Sequence, residues 1–65
     1  MPFYRVIYNG YAVNKALYRE QELTLELRHD WGRNEEEAAR VMYLVHQKLR
    51  GHFSRYDILL VEKIR

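Results

Sequence analysis

The chain has no cysteine, only one proline and three glycines among 65 residues. Without cysteine there can be neither disulfides nor thiolate metal sites. The same absence fits a reducing compartment. No stretch approaches the roughly 18 consecutive apolar residues that a membrane span requires. The N-terminus lacks a basic region followed by an apolar run, so no secretory signal is read. These absences point to a cytoplasmic protein. The 11 basic and 9 acidic residues leave a net charge of only +2, too balanced to imply nucleic acid by charge alone.

Hydrophobic residues make up 48%, enough for a folded core rather than a disordered chain. A chain this short forms one domain, residues 1–65. It buries only about 60% of the surface exposed in its unfolded form. With no disulfide available, stability must come from a well-packed core, self-association or docking on a partner.

Phe3 to Tyr8 alternates as a strand, with Tyr4, Val6 and Tyr8 on one face and Phe3, Arg5 and Ile7 on the other. Asn9-Gly10 reads as a tight hairpin turn. The stretch that follows is ambiguous. Tyr11-Ala12-Val13 suits a return strand, Val13, Ala16 and Leu17 suit a helical turn, and Arg19 to Glu22 reads as loop. Leu23 to Trp31 alternates strictly: Leu23, Leu25, Leu27, His29 and Trp31 interleave with polar residues, which predicts a half-buried strand.

Asn34 is a favoured N-cap, and Glu37 three residues later completes a capping-box pattern. Glu35 to Glu37 complement the positive end of a helix dipole. Ala38, Val41, Met42, Val45 and Leu49 follow as an apolar stripe. Lys48 and Arg50 suit the last turn, and Gly51 reads as a left-handed cap. A final strand is expected over Tyr56 to Ile64, with Ile58, Leu60 and Ile64 on one face and Leu59 and Val61 on the other. The expected fold is α+β: an antiparallel-rich sheet of three or four strands in β-(β)-β-α-β order, with a single helix packed on one face.

One helix covers one face of a sheet. Apolar residues on the other face would stay exposed, and such a patch usually marks an interface. The leading expectation is therefore a non-enzymatic protein-interaction module, either a homodimer or an adaptor or inhibitor on a larger protein. Leu59, Val61, Tyr43, Tyr11 and Trp31 are its candidate contacts. The six tyrosines add weight, because tyrosine is enriched at interfaces.

The alternative is binding to RNA or single-stranded DNA. In the segment 48–56, Lys48, Arg50, His52 and Arg55 alternate with Leu49, Phe53 and Tyr56, placing phosphate-binding cations beside rings that stack on bases. Helix capping and core closure account for the same residues.

No catalytic residue, cofactor site or metal site is expected. Ser54, the only serine, is not on a nucleophile elbow. His29, His46 and His52 lack ligand spacing. His29, on the leucine face of its strand, reads as a sheet-edge residue satisfied by hydrogen bonds rather than a general base. No glycine-rich phosphate loop is present.

The order of elements resembles the LX family of archaeal large-subunit ribosomal proteins. The shared features are Phe3-Tyr4-Arg5-Val6, the helix start Asn34-Glu35-Glu36-Glu37-Ala38, and Arg55-Tyr56-Asp57-Ile58 running to Glu62-Lys63-Ile64. That resemblance implies an RNA partner.

Overall fold

The computed structural model describes all residues, Met1 to Arg65. Three strands and one helix follow in the order β1 (Phe3–Tyr11), β2 (Leu17–Glu26), α1 (Glu35–Arg50) and β3 (Arg55–Lys63). The sheet order is β2-β1-β3, with both outer strands antiparallel to the first. Strands β2 and β3 thus run the same way on either side of β1, and α1 is the crossover between them. The α+β class and the single helix are as expected, and the sheet has three strands.

The middle strand is paired on both sides, so its inward residues are the most deeply buried. Tyr4 and Val6 are fully buried against Val41, Val45 and Leu49, which recur every four residues along α1. Leu23 and Leu25 of β2, and Ile58 and Val61 of β3, pack around this core.

The hairpin turn lies further along than Asn9-Gly10. Strand β1 continues through Tyr11, and the chain reverses at Ala12 to Ala16. There the Ala12 N–H donates to Ala16 O (2.9 Å) and Lys15 takes a φ of 67°. Arg19 to Glu22, read as loop, is strand. Gly10 has a different purpose: the Phe53 ring lies on it, and a Cβ there would come within 2.5 Å of Phe53 Cε1. A glycine inside a strand often marks such an approach.

Both outer strands carry an extra residue near the same level of β1. Opposite β2, Tyr8 pairs with Gln21 but Gly10 with Tyr18. Glu20 takes a φ of 49° in this bulge, and its N–H donates to Asn9 Oδ1 (2.8 Å). Opposite β3, Ile7 pairs with Leu60 but Tyr8 with Ile58, which leaves Leu59 extra. A bulge changes the parity of every residue beyond it. Val61 therefore pairs with buried Val6 and faces the helix, while Leu60 pairs with Ile7 and faces away. The expected grouping of Ile58 with Leu60, and of Leu59 with Val61, is corrected accordingly.

The strand expected to reach Trp31 ends at Glu26. Residues 27–34 are instead held as an ordered connection by Tyr4. Its buried hydroxyl donates to His29 O (2.6 Å) and accepts from Trp31 N–H (3.1 Å), while the Trp31 ring meets it edge-on at 5.4 Å. The helix begins at Asn34, whose Oδ1 accepts from Glu37 N–H (2.8 Å). The Glu37 carboxylate does not close the capping box. It turns to His29 Nδ1 at 2.5 Å and ties the connection to the first helical turn. Gly51 is right-handed (φ −71°), so the left-handed cap is also corrected. The helix closes through Gly51 N–H to Gln47 O and Phe53 N–H to Leu49 O.

Candidate functional site: the open face of the sheet

Side chains alternate along β1, so the residues between the buried ones lie on the face that α1 does not cover. Phe3, Arg5, Ile7, Asn9 and Tyr11 run down its centre. Pairing sets Thr24 and Glu62 beside Arg5, Glu22 and Leu60 beside Ile7, Asp57 beside Asn9, and Leu17 and Arg55 beside Tyr11.

Two regions result. Around Arg5 the face is charged. The guanidinium sits between two carboxylates, contacting Glu62 and, at 3.6 Å, Glu22, while its Nε is buried without a hydrogen-bond partner. At this end Arg65 also lies 4.6 Å above the Phe3 ring. Around the bulges exposed apolar side chains stand among the polar Asn9, Arg19, Glu20 and Asp57. Leu17 (40% exposed), Leu59 (51%) and Leu60 (43%) stand out beside Ile7 and Tyr11. Leu59 lines a shallow cleft with Asn9, Tyr11, Leu17, Arg19 and Glu20. Tyr11 is fixed from both ends, since Arg55 stacks 5.1 Å from its ring centre and its hydroxyl donates to Asp57 Oδ2 (3.3 Å).

Of the five residues expected at a protein contact, the structure brings only Leu59 and Tyr11 together. Val61 is on the helix side, and Trp31 is half-buried against Tyr4. Tyr43 is exposed, but on the outer surface of α1, where Gln47 Nε2 donates to its hydroxyl (2.8 Å). Leu60 and Leu17 were missed. The Leu59 bulge hides Leu60 from a simple alternation, and Leu17 sits in the stretch whose pairing depends on where the turn falls.

The basic segment is dispersed. Phe53 is turned inward onto Gly10, tilted against Tyr8 (5.6 Å) and Tyr18 (6.0 Å). Arg55 lies on the opposite face of the sheet with Tyr11. Lys48 flanks Leu25, Leu27 and Leu44 on the β2 side of the helix, and Lys48, Arg50 and His52 are all exposed. The ring intended for base stacking and the nearest arginine are thus on different sides of the sheet.

The histidines have local partners. His29 meets Glu37, and His46 Nδ1 lies 2.7 Å from Tyr56 Oη. No group of three or more histidine, aspartate or glutamate side chains is placed to hold a metal ion. Asp30 accepts from Lys63 Nζ (2.8 Å) and from Gly32 N–H, and these bonds, with Lys63 first, hold its carboxyl below the usual carboxylate range. This joins the end of β3 to the connection before the helix. No helix is long and apolar enough to cross a membrane.

Comparison with known proteins finds no matching family model, no matching curated protein and no matching solved structure. The resemblance to the ribosomal LX family therefore has no support beyond the motifs themselves.

Proposed function

We propose that this chain is a non-enzymatic protein-interaction module that docks through the open face of its sheet, at the bulged end. One observation carries this reading: Leu17, Leu59 and Leu60, each at least 40% exposed, gather beside Tyr11 and Ile7 on the face that the helix leaves uncovered. Burying such a cluster would contribute on the order of 25 cal/mol per Å² of apolar surface. The ring of Tyr11, already oriented by Arg55 and Asp57, would lose little freedom on binding. A small domain with only six buried residues also gains most from covering more apolar surface.

The test is Leu59→Lys, read by association and by thermal melting. Weakened association with an unchanged melt supports the reading. Association unchanged by this substitution and by Leu60→Lys removes it.

Binding of RNA or single-stranded DNA is the alternative. It has to work without Phe53 as a stacking ring, leaving Arg55 and Tyr11 on one face and Lys48, Arg50 and His52 elsewhere. A fluorescence-anisotropy titration with mixed-sequence RNA and single-stranded DNA at two salt concentrations decides it. Salt-sensitive binding lost on neutralising Arg50 and Arg55 would favour this alternative over docking.

A further inference from the structure

The charges bordering the apolar cluster are arranged about a common level. Along β1 the open face forms rows at positions 5, 7, 9 and 11, with Tyr8 midway. Row 11 carries Arg55 and row 5 carries Glu62, both on β3. Row 7 carries Glu22 on β2, and Arg19 lies in the β2 bulge opposite Asn9 in row 9. Arg55 and Arg19 are each thus as far from the Tyr8 level on one side as a carboxylate of the same strand is on the other.

Consider a second copy stacked face to face, related by a two-fold axis perpendicular to the strands at that level. Row 11 then falls on row 5, and row 9 on row 7. Arg55 meets Glu62 of the second copy, Arg19 meets Glu22, and the Tyr11 ring meets the Arg5 guanidinium. Every such contact occurs twice, as isologous symmetry requires. Leu59, close to the axis, meets its own copy. Arg19 shares its bulge with Glu20, so Glu22 of the second copy meets a cation and a carboxylate there, and the remaining rows oppose no like charges. An axis parallel to the strands instead sets Arg5 against Arg5.

We infer that the occupant of the open face is a second copy of this chain, in this antiparallel face-to-face arrangement. This rests on the docking reading above and names its partner. Three strands of nine or ten residues span a face of about 30 by 14 Å, or about 400 Å² in projection. That is about half of the roughly 800 Å² per partner of a standard interface. The dimer is accordingly weak and reversible, with a dissociation constant on the order of 10–100 µM.

Sedimentation equilibrium from about 5 to 500 µM, a range bracketing that constant, is the experiment, with far-UV circular dichroism to verify that each variant folds. The wild type is expected to dimerise within the range. Arg19→Glu and Glu22→Arg should each weaken the dimer at least about tenfold, while the double exchange should restore it. Glu62 remains beside Arg5 in all three variants, so the exchange does not leave that guanidinium without a carboxylate. A wild type monomeric throughout overturns the second copy as occupant but leaves the open face for another partner. A dimer lost in both single variants and not regained in the double overturns the two-fold arrangement. A dimer indifferent to both exchanges and to Leu59→Lys overturns docking through this face altogether.

Discussion

Tyr4 and Val6 on one side of β1 are fully buried, while Arg5 and Ile7, which alternate with them on the other side, remain partly in water. The same strand therefore serves two surfaces with different physics. The covered side is held by close packing against Val41, Val45 and Leu49, and by one buried hydroxyl that satisfies two backbone groups. The open side is held by charges and rings that touch across strands: Glu22, Arg5 and Glu62 at one end, Arg55 on Tyr11 at the other. Removing atoms from a packed interior leaves a cavity, whereas exposed ion pairs contribute little. The covered face should accordingly decide whether the domain folds, and the open face what it meets.

The sharpest test of that contrast is Leu49→Ala. Leu49 is fully buried at the C-terminal end of the helix stripe, and truncation should cost about 2–5 kcal/mol, read from urea unfolding. A cost near zero would mean that the helix is not anchored as described. Gly10→Ala tests the same face by overfilling it. The new methyl would meet the Phe53 ring at 2.5–2.7 Å, so the ring must move, at about 1–3 kcal/mol. A second substitution, Phe53→Leu, should relieve part of that cost in the double variant. On the open face, Leu60→Ser should change the unfolding free energy by less than about 0.5 kcal/mol at concentrations where the chain is monomeric. A loss comparable to that of Leu49→Ala would abolish the distinction between the two faces.

The smallest effect concerns pH. The Asp30 carboxyl is held below its ordinary range in the folded chain, by Lys63 first and then by Gly32 N–H. The folded state therefore binds this proton less readily than the unfolded state. The resulting stability is present above the unfolded value near 3.9 and is lost as pH falls through the lower folded value. Both side chains keep part of their surface in water, where solvent screens the pair, so the effect is small. Melting between about pH 5 and 2 should show a slightly shallower acid slope for Asp30→Asn than for the wild type.

The parts of the fold legible in the sequence are those governed by local rules. Asn34 caps the helix through a contact three residues away, and the stripe from Ala38 to Leu49 repeats at helical spacing. The misread parts depend on residues far apart in the chain. Gly10 looked like a turn because Asn-Gly favours one, but it is needed where Phe53, 43 residues later, crosses β1. Leu60 and Val61 exchanged faces because the β3 bulge is fixed by pairing to β1, and nothing in the local sequence marks it. Of the candidate site, Leu59 and Tyr11 were legible as apolar residues in strands, while Leu60 and Leu17 depended on the register.

By itself, the sequence determined the single helix with its cap, the apolar stripe and the α+β class, because periodicity and capping act within one or two turns of chain. Only the tertiary structure decided where β1 turns, which carboxylates flank Arg5 and which leucines remain exposed beside Tyr11. Those outcomes follow from strand register, and one extra residue in an outer strand moves every later side chain to the opposite face.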